Sequence, residues 1–176
     1  MTTTSPPLLV DVHELQSGIP AMLAERYPVV TQAMPIGDYG MADVAQQFIL
    51  VERKTAADLI ASVADGRLKS QVERIQAADV PFLLIEGVLM NHDGETDYST
   101  KIGGRSPHSR LMTLRHSGYD LPYVLTLLVR TLWLTKIRVL WAGDKESTAH
   151  IIGALYRTSL KYPILMDGSV PNEDAA

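Results

Sequence analysis

The sequence predicts an α/β domain built on a mixed sheet flanked by helices. Three observations predict it: short leucine- and β-branched-rich runs recur along the chain, segments with apolar residues at helical spacing separate them, and glycine, proline or aspartate marks most of the joins. With 176 residues, 46% hydrophobic and 20% charged, the chain has the make-up of one globular domain able to close over a core, expected over about 8–161.

Leu8 to Val12 is a short apolar run carrying Asp11 at its end, which predicts a buried strand delivering a carboxylate. Ile19 to Tyr27 predicts a helix with Pro20 in its first turn, and Pro28 to Thr31 a strand. Gly37-Asp38-Tyr39-Gly40 is turn chemistry, and Gln47 to Lys54 a strong strand. A helix from Thr55 should stop at Asp65-Gly66, where glycine accepts the left-handed conformation, and a second helix follows from Arg67 to about Ala78. Val80 to Glu86 predicts another buried strand, its proline confined to the first residues. From Gly87 to about Tyr119 the pattern dissolves into polar and small residues, which predicts a long basic loop that is mobile or ordered by a partner. A helix from Leu121 to Leu134 with Asp120 as cap, a strand from Ile137 to Ala142 and a helix from Lys145 to Lys161 complete the order, with 171–176 as a frayed tail. Trp133 and Trp141 sit in apolar segments and are expected in the core.

Composition narrows the function. The formal charge of −4 argues against a protein that coats nucleic acid by bulk electrostatics, while leaving room for a local basic site. There is no cysteine, so disulfides, thiolate zinc sites and cysteine nucleophiles are excluded, and a reducing compartment is expected. His92, His108 and His116 lack a compact ligand spacing, so zinc is not expected. Residues 1–7 do not read as a signal peptide, and the apolar run from Pro122 to Leu134 is too short to span a bilayer, which takes about 20 residues. The expected protein is soluble and intracellular, cytoplasmic or nucleoid-associated, or nuclear in a eukaryote.

The chemistry concentrates in Val51-Glu-Arg-Lys-Thr-Ala-Ala-Asp-Leu59. On a strand, Glu52 and Lys54 share one face and Arg53 points to the other. Asp38, from the turn upstream, can reach the same strand end. Two hard carboxylates at one point suit Mg²⁺ or Mn²⁺, and a neighbouring lysine can orient water or offset charge on phosphorus. Each residue also has an ordinary explanation. Thr55 and Asp58 have capping-box spacing, so Asp58 is a cap or a site residue. Glu52 with Lys54 can be a surface ion pair, Asp38 a turn former, and Asp11 and Glu14 loop charges. Arg67, Gln71 and Arg74 form a stripe beside the apolar stripe Leu68, Val72, Ile75; they suit a phosphate backbone or a solvated helix face. Lys101, Arg105, Arg110 and Arg115 make a basic segment without acids, suited to phosphate contact.

Taken together, Val10-Asp-Val-His-Glu14, Ile19-Pro20, Ile36-Gly-Asp-Tyr39, the run from Val51 to Leu59, and Asp65-Gly-Arg-Leu68 with Gln71 resemble the nuclease domain of the XPF-type structure-specific endonucleases. That family is marked by Gly-Asp, a spacer, then Glu-Arg-Lys-x-x-x-Asp. The resemblance covers residues 8–86 firmly and 121–161 in element order. It implies a restriction-endonuclease-like fold and metal-dependent cleavage of flapped, forked or otherwise branched DNA in repair or recombination. It assigns Asp38 and Glu52 as metal carboxylates and Lys54 as the catalytic lysine, with Arg53 and Asp58 completing the signature and Asp11, Glu14, Arg67 and Gln71 in support. It also implies a homodimer or a partner protein that supplies branch recognition.

Two departures stand out. His13 occupies a position where the family commonly has arginine, which would add pH sensitivity. Too few residues follow Lys161 here for a helix-hairpin-helix segment and no helicase phosphate-binding loop is read, so neither domain is expected within these residues. A catalytically silent DNA-binding or scaffolding module of the same fold is the first alternative, and a hydrolase of small phosphate esters the second.

Overall fold

The structure, a computed structural model, describes residues 5–92, 95–99, 115–116 and 120–164. Five strands and three helices fill its first half: β1 (Leu8–Asp11), α1 (Ile19–Ala24), β2 (Val29–Gln32), β3 (Tyr39–Ala42), β4 (Phe48–Thr55), α2 (Ala56–Ala64), α3 (Leu68–Ile75) and β5 (Val80–Glu86). Then come β6 (Val88–His92), β7 (Glu95–Ser99), β8 (Arg115–His116), α4 (Leu121–Trp133), β9 (Arg138–Ala142) and α5 (Lys145–Ser159).

Among the described residues the main sheet has six strands in the order β2-β1-β3-β4-β5-β9. It is mixed: β1 runs parallel to β2 and antiparallel to β3, β3 antiparallel to β4, and β4, β5 and β9 are mutually parallel. Every residue of β5 is buried, as a central parallel strand covered on both faces requires. Strand alternation divides the core into two layers. Val51, Phe82 and Leu84 pack on one face with Ile19, Ile152 and Tyr156 of α1 and α5. Leu50, Leu83 and Ile85 pack on the other with Leu59, Val72 and Ile75 of α2 and α3. As expected, α2 ends at Asp65, followed by Gly66 at φ 68°.

The structure differs from the sequence-based expectation in five places. Tyr39 begins a strand instead of completing a turn, because Tyr39 and Met41 are buried and drive pairing with β4. A 3-10 helix, Val12–Ser17, follows β1, capped by Asp11. The second helix stops at Ile75, and Asp79 Oδ2, in the turn beyond it, accepts the Phe48 N–H at 2.9 Å. The segment expected as a loop from Gly87 contains a separate sheet, β6-β7-β8. Its β6–β7 register pairs His92 with Glu95, so Asp93-Gly94, a hairpin signal in the sequence, separates the two strands. Finally, Trp133 is 85% exposed and Trp141 42%, so neither is a core residue. Only Val124 and Leu128 of α4's described side chains are buried, and the turn that carries Trp133 faces outward.

Candidate active site

The site forms where the sheet loses a strand. β3 pairs with β4 only as far as Tyr39 opposite Val51, while β4 continues beside β5 to Thr55. Beyond that point Asp38 replaces the missing ladder. Its main-chain N–H donates to Val51 O at 2.9 Å and its carboxylate Oδ2 accepts the Arg53 N–H at 2.7 Å. Gly37 makes this possible: its φ is +73°, and a Cβ there would meet Leu50 Cδ1 at 2.5 Å. Glycine therefore turns the chain and lets Asp38 drop onto the strand end.

Asp38 and Glu52 line one cavity of about 170 Å³ together with Asp11, His13, Gln71 and Arg74. Burial, followed by the Glu52 charge, pushes the Asp38 carboxyl up to about 7. Burial also raises Glu52, with Lys54 and Arg74 opposing it and Glu14 adding to it. Two desolvated carboxylates that each resist ionisation form a site that a hard cation would relieve. Among the described residues no three or more histidine or acidic side chains form a cage. A divalent ion would therefore rest on Asp38, Glu52 and water, and the chemistry of this donor set fits Mg²⁺ or Mn²⁺, which keep several waters.

Lys54 stands apart from the cavity. It is buried, and its Nζ donates to Ser62 Oγ of α2 at 3.1 Å. Burial lowers its pKa, against the attraction of Glu52, Asp58 and Asp38. Thr55 caps α2: its Oγ1 accepts the Asp58 N–H at 3.1 Å, and its hydroxyl donates to Asp58 Oδ2 at 2.6 Å. Thr55 is thus the cap of α2, the Asp58 carboxylate returning a bond to its hydroxyl and not to its main-chain N–H as a full capping box would, and Asp58 also contributes to the field at Lys54.

Arg53 projects from the opposite face of β4, as alternation requires. Its guanidinium binds Glu86 through two hydrogen bonds, at 2.8 and 2.7 Å, and reaches Glu14 at 3.3 Å. Burial works against that charge, but the Glu86 and Glu14 carboxylates outweigh it and hold Arg53 firmly protonated. Glu14 also accepts the Tyr39 hydroxyl at 2.6 Å, and burial together with Glu14 keeps that phenol protonated. Glu86 and Tyr39 are functional candidates that spacing alone missed; the signal was an acid closing a fully buried strand.

Asp11 is tied down on both oxygens: Oδ2 accepts the Met34 N–H at 2.6 Å, while Oδ1 accepts the His13 N–H at 2.9 Å and lies 2.6 Å from His13 Nδ1. These bonds, led by that from Met34, keep its carboxyl below the ordinary range. Of the α3 stripe, Gln71 and Arg74 face the cavity, and Gln71 Oε1 is buried without a hydrogen-bond partner. Arg67 instead pairs with Asp65 at 2.7 Å on the surface. Lys101, Arg105 and Arg110 lie outside the described residues, and the Arg115 backbone pairs with Tyr98 in the small sheet. A larger cavity of about 530 Å³ opens on the other side of α3, but its lining of Leu68, Val72, Tyr123, Leu127 and Leu134 offers no carboxylate pair. No described helix is long and apolar enough to cross a membrane.

Comparison with known proteins places the chain in a family. The ERCC4 domain model matches residues 10–155. The DNA repair protein rad16 of Schizosaccharomyces pombe is 30% identical over 158 residues, 86% of this chain and 16% of that protein. The DNA repair endonuclease XPF of Drosophila melanogaster is 30% identical over 156 residues, 88% of this chain and 15% of that protein. The chain thus spans about a sixth of the length of these relatives. Among solved structures, XPF from Aeropyrum pernix in complex with DNA superposes with a TM-score of 0.63 at 29% identity, covering 88% of this chain and 64% of that one. The six-stranded sheet with its flanking helices is accordingly the restriction-endonuclease-like fold of the XPF nuclease domain. By the family model, the curated relatives and the fold alike, the chain belongs to the ERCC4-domain family of XPF-type nucleases.

Proposed function

We propose that this chain is a Mg²⁺- or Mn²⁺-dependent endonuclease that cuts flapped, forked or otherwise branched DNA. The observation that carries the proposal is the convergence of Asp38 and Glu52 on one cavity, flanked by Gln71 and Arg74 from α3. A small-ester hydrolase has no need of that α3 flank, whereas a polyanion that must be held along its backbone does. In this reading Asp38 and Glu52 hold the ion. Bound there, a divalent ion supplies Lewis acidity and a water of lowered pKa.

The chain's own residues do the rest. Arg74 and Gln71 bind the phosphodiester, with Arg67, Lys101, Arg105, Arg110 and Arg115 extending the contact along DNA. Lys54 orients the attacking water or offsets charge building on phosphorus, while Arg53 and Asp58 hold the strand and helix that carry these groups. The XPF names of the relatives and the DNA in the Aeropyrum pernix complex support a DNA substrate. A second copy of the chain is the proposed partner. The stripe Leu125, Val129 and Trp133 on α4, spaced at i, i+4 and i+8, lies exposed and apolar, as an isologous helix contact requires.

End-labelled single strand, linear duplex, splayed arm, 3′ flap and fork, incubated in Mg²⁺ or Mn²⁺ beside Asp38→Asn and Glu52→Gln, test the proposal. Cutting near the junction that vanishes in both variants, with DNA binding retained, is the expected result. Binding without cutting by the wild type would instead favour the silent scaffolding module. The engagement of Lys54 with Ser62, away from the cavity, is the observation on that side.

A further inference from the structure

The signature residue Arg53 is the hub of a buried polar chain on the α1/α5 face of the sheet, opposite the face that carries Glu52. Glu86 Oε2 accepts from Arg53 Nε at 2.8 Å and lies 2.8 Å from the Thr148 hydroxyl of α5, whose one proton Asp144 O also approaches at 3.0 Å, while Glu86 Oε1 accepts from Arg53 Nη2 at 2.7 Å. Glu86 and Thr148 are 4% and 0% exposed. The α5 end is itself anchored, since Asp144 Oδ1 caps the helix through the Ser147 N–H at 2.8 Å. At the other end, Arg53 reaches Glu14, the carboxylate whose charge falls on Asp38 and Glu52.

Two parts of Arg53 bear on the site, its main-chain N–H and its guanidinium. The Arg53 N–H that fixes the Asp38 carboxylate moves only with the Arg53 backbone, and two bonds to Glu86 hold that residue's side chain. The Arg53 charge also offsets Glu14 where it would otherwise repel the electrons of both cavity carboxylates. If Glu86 lost its charge or its Thr148 donor, the guanidinium would be free to shift, and the positive charge that offsets Glu14 at Asp38 and Glu52 would shift with it. Outer groups that orient the inner ones typically change metal affinity or activity by about 10- to 100-fold when removed.

We infer that Glu86, set by Thr148, is the positioning residue of the site, acting through Arg53 on Asp38. The inference rests on the nuclease reading for its function but not for its test. Mn²⁺ binding to the full chain is measured by calorimetry for the wild type, Glu86→Gln and Thr148→Val. Ile152→Val, a core change on the same α5 layer, serves as a control for lost stability. Cleavage of a 3′ flap is then followed with kcat and KM separated.

The expected result is Mn²⁺ affinity weakened by about tenfold or more in Glu86→Gln and less in Thr148→Val, with Ile152→Val unaffected. Flap kcat should fall in the same order at unchanged KM. Wild-type Mn²⁺ affinity in both folded variants overturns the inference. Should Glu86→Gln fail to fold, Thr148→Val decides alone. A wild type that binds Mn²⁺ but never cuts DNA refutes the nuclease reading, and the calorimetric comparison still settles the role of Glu86.

Discussion

Arg53 donates its main-chain N–H to Asp38 Oδ2 across 2.7 Å, so the strand that carries the Glu-Arg-Lys triplet also holds the carboxylate that lies fifteen residues before Arg53. The bond occupies the ladder position that β3 leaves empty. It ties the turn acid to the strand acid without a covalent or side-chain link, and it leaves the second Asp38 oxygen for the cavity. Asparagine can accept the same bond, so charge and position at Asp38 are separable by substitution.

The first prediction follows from that separation. Asp38 has an ordinary carboxyl pKa of 3.8, raised to about 7 in the fold. The folded state therefore binds more protons than the unfolded chain between these values, and the metal-free protein loses stability as pH rises from about 4 to about 7. At pH 7.5 in a chelator, Asp38→Asn should be more stable than the wild type by on the order of 2 kcal/mol, roughly 5 °C in Tm. Thermal melts of the two proteins check it. Equal melts at pH 7.5, or a gain that persists at pH 3.5, would show that Asp38 ionisation carries no such cost.

The same shift sets the pH dependence of metal binding. A cation at Asp38 and Glu52 must displace the proton that burial favours, so binding should release protons near neutrality. Mn²⁺ affinity is expected to fall as pH drops from 7.5 to 6. Calorimetry in two buffers of different ionisation enthalpy measures the released proton directly. A pH-independent affinity with no proton release would remove Asp38 from the ligand set.

Much of this was legible in the sequence, and the rest was not for physical reasons. Val80 to Glu86 reads as a buried strand because all seven residues are buried, and the opposite faces of Glu52 and Arg53 follow from the two-residue period alone. The Arg53–Glu86 pair is invisible at that level: the residues lie 33 apart, and they meet only because parallel pairing sets Thr55 against Glu86. Lys54 shares the face of Glu52 and the two charges act on each other, as alternation requires, while its bond to Ser62 depends on how α2 folds back over β4, which spacing does not show. Tyr39 was hidden by a genuine turn signal, since Gly37 and Asp38 do turn and the strand begins immediately after them. Trp133 was placed inside by composition, which cannot say which side of a helix meets the sheet.

Gly37→Ala should damage the site through the backbone alone. The positive φ and the 2.5 Å approach to Leu50 leave no room for a methyl group without moving the turn or the leucine. A loss of about 1–3 kcal/mol is expected from that strain. Because Asp38 is the next residue, Mn²⁺ affinity should fall as well. Urea melts and calorimetry check both. A variant as stable as the wild type would show that the turn accommodates a side chain.

The α4 stripe predicts self-association. Leu125, Val129 and Trp133 are 41, 56 and 85% exposed along one line of a helix whose Val124 and Leu128 face the core. Light scattering should report a dimer at micromolar concentration, and Val129→Glu with Trp133→Glu should return a monomer with an unchanged circular dichroism spectrum. A wild-type monomer at that concentration removes the homodimer from the proposed function.

Lys54 offers the sharpest test of catalysis against architecture. Its ammonium is buried and bonded to Ser62, and burial lowers its pKa, so the protein gains little stability from the charge. Methionine matches the length of the stem without the ammonium. If the lysine serves the reaction, Lys54→Met should lower flap cleavage by about 10²-fold or more while melting no lower than the wild type and binding DNA as tightly. If it is only a strut between β4 and α2, the loss should fall on stability, and Ser62→Ala should reproduce it. Cleavage that survives in a folded Lys54→Met protein would take the lysine out of the reaction and leave the carboxylates with their ion to act without it.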